Sequence, residues 1–428
     1  MKSTKKAFPA RKGFLIAALV WLSACIIGAV PYLISGTYDN FIDAFFEAAS
    51  GFTTTGATCI EDLSAVPGIV LFWRSLTHWL GGMGIVVLFA AFFPSWGIHG
   101  QLAAYAETPG PSKGKFTARF SDTAKDLYKI YLTITIVLFI ILKLLDMSWL
   151  DSITTAFSTL ATGGFANYNN NAEGFSIPVK IVLILFMYIA GINFNLLYGV
   201  KKHGLKILTR DQEFRFYTVI MTVGALLIFG ANSFFLAKRG VGYNLLDSFF
   251  HVVSINTTTG FTIGNYDMWP TFSRMILLCF FFIGGCASST GGGIKVSRII
   301  ICIKLIRRYF SMRIHPNRIS KITMNRMEIS TDVAIKTTGF IFTYIAVLII
   351  GTLIISLNGL GFITSFSCAA SCLANVGPGF GLIGPAFNFT ALSQFSRLIC
   401  SFLMIIGRLE LYTIIVLFSR HYWNPDRG

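Results

Sequence analysis

Thr53-Thr54-Thr55-Gly56 is the first of four short stretches that repeat one pattern along this 428-residue chain. The other three are Ala161-Thr162-Gly163-Gly164, Thr257-Thr258-Thr259-Gly260 and Ala374-Asn375-Val376-Gly377. Each ends in glycine and follows the previous one by roughly a hundred residues, the signature of an internally repeated unit. The pattern predicts four structural repeats in one polypeptide.

The match between the repeats extends upstream of the glycine. Six residues before it stands a serine in every repeat, and thirteen residues before it stands an aspartate or threonine. These positions are Ser50, Ser158, Ser254 and Ser371, and Asp43, Asp151, Asp247 and Thr364. Asp and Thr favour the N-cap of a helix because their side-chain oxygens accept bonds from free backbone N–H groups. A short helix is therefore predicted to begin at each of them and to end just before the glycine motif.

The composition is typical of a protein embedded in a lipid bilayer. Hydrophobic residues make up 54% of the sequence and charged residues only 13%. A membrane-spanning helix needs about 20 mostly apolar residues, and eight stretches qualify, in pairs that flank the glycine motifs. They are 14–35, 66–93, 127–146, 176–199, 214–236, 271–305, 333–357 and 393–419.

Between the two spans of each pair lies a stretch too short to cross the bilayer but long enough to enter it and return. The predicted fold is an all-α polytopic membrane protein, with four helix/pore-loop/helix repeats around a pseudo-four-fold pore and eight transmembrane helices. The predicted domains are repeat 1 (1–93), a cytoplasmic linker with repeat 2 (94–202), repeat 3 (203–325) and repeat 4 (326–428).

Lys and Arg are concentrated on one side of these spans. Segments 1–12, 94–129, 200–215, 304–326 and 420–428 hold 24 of the 35 basic residues. By the positive-inside rule this side is cytoplasmic, so both termini lie inside and the glycine motifs open outward. The net charge of +16 therefore needs no nucleic acid to explain it. The 304–326 cluster could also dock membrane lipid or an acidic partner.

Rings of backbone carbonyl oxygens from four loops can replace the hydration shell of a monovalent cation without burying a fixed charge. Glycine allows the required backbone dihedrals and leaves the lumen open. The residues predicted to form such a filter are Thr54, Thr55, Gly56, Thr162, Gly163, Gly164, Thr258, Thr259, Gly260, Asn375, Val376 and Gly377.

The sixth span is interrupted by small and polar residues that cannot sustain a helix facing lipid. They are Gly284, Gly285, Ser288, Ser289, Thr290, Gly291, Gly292 and Gly293. Close helix packing is the alternative, but three consecutive glycines exceed what packing requires. A phosphate-binding P-loop is excluded because Lys295 is separated from Gly293 by Ile294. The sequence predicts a break in this helix.

Arg408 lies within the last apolar span, where an ionisable group is expensive and marks a candidate functional site. The alternative is pairing with Glu410 or snorkelling to the membrane surface. Glu61, Asp62 and Asp267 follow two of the glycine motifs and could concentrate cations there, or could be solvated loop acids.

No histidine has metal-ligand spacing, and no nucleophile, base and orienting group form a catalytic set. Cys368 and Cys372 are four residues apart but are expected to be small buried side chains. An ion-conducting transporter is thus favoured over a membrane enzyme.

Four segments together resemble the TrkH branch of the Trk/Ktr/HKT potassium transporters, and the similarity covers essentially the whole chain. They are TTTGAT at 53–58, WRSLTHWLGGMG at 73–84, GGCASSTGGGIK at 284–295 and GRLE at 407–410. TrkH proteins usually carry one more helix pair before the first repeat, whereas this sequence starts almost directly at the first repeat.

The resemblance implies potassium uptake across a bacterial cytoplasmic (inner) membrane through a potassium-channel-like pore. It implies that the four final glycines favour potassium, since a serine in the first loop accompanies sodium passage in this family. It also implies that 284–295, with Lys295, is an intramembrane gating loop facing Arg408. A potassium ion in the filter and no tightly bound cofactor are expected.

The resemblance further implies a homodimer whose protomers each have a pore, controlled by a nucleotide-binding RCK subunit similar to TrkA on the cytoplasmic side. Symport of potassium with protons or sodium, and a sodium-permeable member of the superfamily, are the alternatives. The residues alone do not separate these alternatives from a gated channel.

Overall fold

The structure is a computed structural model that describes residues 10–84, 120–236, 240–315, 321–325 and 327–423. Helices dominate the described part, and one antiparallel hairpin accompanies them. The parts of the predicted basic segments at 1–9, 94–119, 316–320 and 424–428 lie outside the described residues, as does the end of the predicted 66–93 span.

The elements of the first two repeats follow the predicted order of outer helix, short helix and inner helix. In repeat 1 they are α1 (Ala10–Ile34), α2 (Phe41–Phe52) and α3 (Gly68–Gly82). In repeat 2 they are α4 (Phe120–Leu144), α5 (Trp149–Leu160), α6 (Ile177–Ala190), α7 (Phe194–His203) and α8 (Lys206–Arg210). The short helices α2 and α5 thus each precede one glycine motif.

Repeats 3 and 4 have the same order. Repeat 3 contains α9 (Gln212–Phe235), α10 (Val241–Asn256), α11 (Thr271–Phe282), α12 (Val296–Ile314) and the hairpin strands β1 (Thr323–Met324) and β2 (Met327–Glu328). Repeat 4 contains α13 (Thr331–Ser356), α14 (Phe362–Ala374), α15 (Gln394–Arg408), α16 (Tyr412–Ile415) and α17 (Arg420–Trp423). Short 3-10 turns lie at Leu63–Ala65, Tyr266–Met268, Gly381–Ile383, Phe389–Ala391 and Val416–Phe418.

The predicted starts of the short helices are wrong by three or more residues. Asn40 and Ser148 are the N-caps of α2 and α5, and each accepts a bond from the backbone N–H of Asp43 or Asp151. Asn40 Nδ2 and Ser148 Oγ in turn donate to the carboxylates of Asp43 and Asp151, both over 2.7 Å. The arrangement differs from a capping box, because the acid that stands third in the helix accepts from the side chain of the cap and not from its backbone N–H.

The other two predicted N-caps also lie inside their helices. Asp247 stands in the second turn of α10, which begins at Val241, and Thr364 stands third in α14. The preceding residues are Gly240 and Gly361. The repeated position therefore marks the first turns of each short helix and not its cap.

Four described helices are long and apolar enough to cross a membrane alone: Lys12–Ile34, Ala124–Leu144, Gln212–Phe235 and Thr331–Ser356. Only about a third of each is buried, so their apolar faces point outward, as bilayer helices require. Two further spans are not continuous, because the chain bends by 98° between α6 and α7 and by 108° after α15. The total of eight spans stays a prediction.

The buried core consists of two main clusters that reflect the ring order of the repeats. One cluster joins repeat 1 to repeat 4 and includes Trp21, Phe46 and Met404. The other is built mainly from repeats 2 and 3 and includes Tyr131 and Phe281. The first and last repeats are therefore neighbours in space.

Candidate functional site

The four glycine motifs meet and touch one another in cyclic order. A Cβ built on any final glycine would come within 3.0 Å of a backbone carbonyl oxygen of the next loop, closer than real side chains approach. The glycine and carbonyl pairs are Gly56 with Gly163, Gly164 with Thr259, Gly260 with Val376, and Gly377 with Thr55. Repeat 4 thus closes onto repeat 1, and a ring of four loops results.

The backbone repeats the same unusual conformation in every loop. The final glycines have φ between 77° and 101°, and the residues two positions earlier have φ between 55° and 59°. These earlier residues are Thr54, Thr162, Thr258 and Asn375. A threonine in the left-handed region is rare because its β-branched side chain crowds the backbone. Strain of this kind persists only where surrounding structure enforces it, and it clusters at functional sites.

The serine found six positions before each glycine fixes this conformation. Its carbonyl oxygen accepts a bond from the residue preceding the final glycine, over 2.8–3.0 Å in all four repeats. In repeats 3 and 4 its hydroxyl also donates, from Ser254 to Phe261 O and from Ser371 to Gly377 O, both over 2.7 Å. The sequence offset therefore records a hydrogen bond that holds the loop.

All twelve predicted filter residues lie in these loops, and all are buried except the half-buried Gly56. Repeats 1 and 3 add hydroxyl pairs beside the ring, between Thr53 and Thr55 over 2.7 Å and between Thr257 and Thr259 over 2.8 Å. The side chains thus brace one another, while the glycines and their neighbours present backbone oxygens.

A cavity of about 300 Å³ adjoins the ring and is lined by all four final glycines. Glu61 also lines it. Asp62 instead caps a 3-10 turn, and hydrogen bonds from Ser64 and Asn169 lower its pKa. Asp267 accepts a bond from Gly381 N over 2.9 Å. Of the three acids, Glu61 is therefore the one placed beside the ring.

The predicted break in the sixth span is present between α11 and α12. Residues 283–295 form an irregular loop, closed at its base by Gly284 N donating to Ile294 O over 2.7 Å. We call it the intramembrane loop because of its predicted position. The loop lies directly against the ring, since Gly292 N donates to Thr258 Oγ1 over 2.7 Å. All eight small and polar residues named from the sequence belong to it.

The same loop fills the bend in repeat 2. Cys286 N donates to Gly191 O over 2.9 Å, and Phe194 N donates to Ser288 O over 3.1 Å. Thr290 Oγ1 donates to Ala190 O over 3.1 Å. Backbone groups freed by the α6–α7 bend are thus satisfied by protein and not by lipid, which is the condition for irregular backbone inside a membrane.

Arg408 is the last residue of α15 and reaches across to two other repeats. It donates to Thr290 O in the intramembrane loop over 2.6 Å, and to Gly81 O and Gly82 O over 2.6 and 2.7 Å. In the ring order, repeats 1 and 3 are opposite each other. The guanidinium therefore lies between opposite repeats, below the ring.

Two more cations stand beside the loop. Lys295 is 2% exposed and donates through Nζ to Gly291 O. Arg298 pairs with Glu410 over 2.5 Å and lies over the Phe340 ring. The sequence-predicted gate residues are thus brought together beside the ring, with Lys295 and Arg408 both bonded to carbonyl oxygens of the loop.

One buried ion pair was missed in the sequence. Glu47 and Arg74 are 0% and 1% exposed and meet over 2.8 Å. Arg74 also donates to Ala166 O over 3.2 Å and lies over the Phe165 ring. It thereby links the first short helix to the segment after the second loop. Arg74 could have been found from the sequence, because it is an ionisable residue inside an apolar span, as Arg408 is.

Cys368 and Cys372 are fully buried, as expected, and Cys400 joins them. The three Sγ atoms lie within 4.8 Å of one another. Cys400 comes from α15, so the cluster lies where the fourth short helix packs on its inner helix.

Comparison with known proteins gives one consistent result. The TrkH family, described as cation transport proteins, matches residues 1–424. The Trk system potassium uptake protein TrkH of Escherichia coli K12 is 35% identical over 99% of this chain and 88% of its own length. The TrkG protein of the same organism is 33% identical over 97% of this chain and 86% of its own.

A solved structure agrees with these sequence matches. The crystal structure of the potassium transporter TrkH from Vibrio parahaemolyticus superimposes with a TM-score of 0.87 at 32% identity. The match covers 98% of this chain and 87% of that one.

Proposed function

This chain belongs to the TrkH family of cation transport proteins, and we propose that it takes up potassium across a bacterial cytoplasmic membrane. The family consists of transporters, which confirms the expectation that the chain is not an enzyme. Its relatives named as Trk potassium uptake proteins cover nearly its whole length.

The ring of four loops is the observation that carries the proposal. In each loop a residue with positive φ is followed by one without positive φ and then by a glycine with positive φ. Such an alternation can turn successive carbonyl oxygens to the same side. Four such loops in cyclic contact supply layers of neutral oxygens, the arrangement that replaces the hydration shell of potassium. The ring is the selectivity filter, and its final glycines favour potassium over sodium.

The intramembrane loop and Arg408 form the gate beneath this filter. The guanidinium places a fixed positive charge between opposite repeats, and it holds the loop through Thr290 O. A cation that leaves the filter inward must pass this charge, which raises its barrier. Conduction requires the loop and Arg408 to move apart.

The cavity beside the four glycines is the outer mouth, and both termini lie in the cytoplasm. The active unit is a homodimer with one pore in each protomer, regulated by a nucleotide-binding RCK subunit on its basic cytoplasmic surface. Anionic lipid supports the same surface. Potassium is the ion held in the filter, and no other cofactor is needed.

The decisive experiment measures potassium and sodium uptake into proteoliposomes that contain the purified protein. A membrane potential and a proton gradient are imposed separately. Potassium uptake driven by the potential alone is expected and identifies a gated conductor. Uptake that requires a proton or sodium gradient identifies a symporter, and equal sodium and potassium uptake identifies a sodium-permeable member of the superfamily.

Absence of flux is resolved by adding the cognate RCK subunit with its nucleotide. Flux restored by the subunit supports the proposed regulation. Absence of flux under both conditions, in protein that remains a folded dimer, contradicts potassium uptake as the function.

A further inference from the structure

Glu213, in the first turn of α9, links the first half of the intramembrane loop to the start of α12. Its Oε1 atom accepts hydrogen bonds from the backbone N–H of Ala287 over 2.7 Å and of Ser297 over 3.0 Å. Ala287 lies in the first half of the loop, and Ser297 lies just past its end. The side chain is buried, so that without this acceptor both N–H groups would lose their partner in a buried environment, at a cost. One carboxylate oxygen therefore fixes the span of the loop.

The residues before Glu213 are held from the other side, by the cytoplasmic hairpin. Asn325 Nδ2 donates to Asp211 Oδ2 over 2.6 Å, and Gln212 N donates to Asn325 Oδ1 over 2.8 Å. Asp211 is also the N-cap of α9, since it accepts a bond from Phe214 N over 2.8 Å. The Asn325 side chain thus binds the start of α9 both as a hydrogen-bond donor and as an acceptor.

The helix that leaves the loop closes this set of contacts. Lys304 of α12 donates to Gln212 Oε1 over 2.7 Å and also to Thr323 O in the hairpin. Thr323 and Asn325 of the hairpin are therefore hydrogen-bonded to α12 and to the start of α9. The contacts on α9 lie within two residues of Glu213.

We propose that residues 211–213 form a latch, the α9 latch, which keeps the intramembrane loop against the filter and which the hairpin keeps engaged. Glu213 is a positioning residue, because it acts through the loop and not on the ion. Release of Asn325 from the latch at the cytoplasmic surface frees the loop. The role in conduction rests on the proposed gating function of the loop.

The first test compares Glu213→Ala with Glu213→Gln in potassium flux from proteoliposomes. Alanine removes the acceptor for both N–H groups, and flux is expected to rise about tenfold, the scale of the cost of leaving a buried donor without a partner. Glutamine keeps a carbonyl oxygen at that point, so a smaller rise is expected. The potassium-to-sodium ratio stays unchanged, since the filter is intact. Where the unsubstituted protein conducts potassium, unchanged or reduced flux in both variants overturns the latch's role in conduction.

The second test releases the latch from the hairpin side with Asn325→Gly. Asn325 has φ of 50°, and glycine adopts this left-handed turn without strain, so only the side-chain contacts are lost. Glu328→Ala is the matched control, because it removes the exposed Lys321–Glu328 pair from the same hairpin. Flux is expected to rise a few-fold for Asn325→Gly and to stay unchanged for Glu328→Ala. Equal effects of the two variants overturn the hairpin's role.

The third measurement does not depend on transport. Hydrogen exchange of the backbone amides of Ala287 and Ser297 is expected to be faster in Glu213→Ala and Asn325→Gly, and unchanged in Glu328→Ala. Unchanged exchange in all three variants overturns the latch. Faster exchange in protein that shows no potassium flux supports the latch and contradicts the proposed function, so the two failures are distinguishable.

Discussion

The ring of glycine loops repeats one structure four times, whereas the layer beneath it is asymmetric. In the ring, four segments share one backbone conformation and one hydrogen bond to an upstream serine. In the layer beneath, repeat 3 alone supplies a loop of thirteen residues, 283–295, and repeat 4 alone supplies Arg408. Equal oxygens on all sides suit the coordination of a spherical ion. A barrier that opens needs one element able to move against the others.

The two regions also differ in what satisfies their backbone. The ring is held within each repeat by a backbone hydrogen bond between residues five apart. The layer beneath is held between repeats, by Gly191, Thr258 and Arg408 acting on the loop. Substitutions in the two regions should therefore change different measurements.

The largest effect is expected at the buried Glu47–Arg74 pair, which links the first short helix to the segment after the second loop. Glu47→Gln leaves the Arg74 charge buried and uncompensated, and should lower the free energy of unfolding by about 3 kcal/mol or more. Thermal unfolding in detergent provides the measurement. Asp332→Asn is the control, because it breaks the exposed Lys336–Asp332 pair and should change stability by about 0.5 kcal/mol or less. Equal melting temperatures for the two variants would show that the pair does not brace the ring.

Removing the charge below the ring should give the next largest effect. Arg408→Ala loses three hydrogen bonds to Thr290, Gly81 and Gly82, and potassium leak should rise at least about tenfold. The potassium-to-sodium ratio should not change. Arg313→Ala, which removes an exposed arginine of α12, controls for loss of positive charge. Lower flux in correctly folded Arg408→Ala protein contradicts the gate.

A change in ion preference, which Arg408→Ala should not produce, is expected from a substitution in the ring itself. Gly56→Ser places a Cβ against Gly163 O, closer than any real contact, so that the neighbouring carbonyl must move. The preference for potassium over sodium should fall about tenfold, the scale of a small misfit in a fitted site. Gly359→Ser is the control, since Gly359 shares a positive φ but has nothing within 4 Å of its Cβ position. Unchanged ion preference in Gly56→Ser removes this glycine from the filter.

The smallest effect is expected at Thr258, where the ring contacts the loop beneath it. Thr54 and Thr258 occupy the same position in opposite repeats and have nearly the same φ. The Thr258 hydroxyl accepts a bond from Gly292 N, whereas the Thr54 hydroxyl has no hydrogen-bond partner among the described residues. Thr258→Ala should therefore raise potassium flux about twofold to fivefold, and Thr54→Ala should not. The same rise in both would mean that the hydroxyl acts through the ring and not through the loop.

The symmetric region was the easier one to predict from sequence. The final glycine at a fixed spacing reflects a local backbone requirement, and the serine six residues upstream marks the position of a local hydrogen bond. The helix starts were less accurate because Asn40 and Asp43 can both cap a helix, and the structure uses the first as cap and the second as its partner.

The asymmetric region depends on contacts between distant parts of the chain. At the bend, the carbonyl of Gly191 accepts a hydrogen bond from Cys286 N. This pairing cannot be predicted from the sequence around either residue. Glu213 was missed for the same reason, since its partners Ala287 and Ser297 lie in another element. Arg408 was found because its charge is anomalous by itself, but its acceptors on α3 were not predictable.

Closure of the ring between repeats 1 and 4 also governs when the site comes into existence. Asn375 Nδ2 donates to Thr55 Oγ1 across 320 residues of sequence. At synthesis rates of about 5–20 residues per second, the first loop waits roughly 15–60 s for its partner. During that time nothing holds Thr54 in its left-handed conformation from the side of repeat 4. The ring of four loops therefore cannot close until repeat 4 has been made, and a chain that ends before repeat 4 has no closed ring.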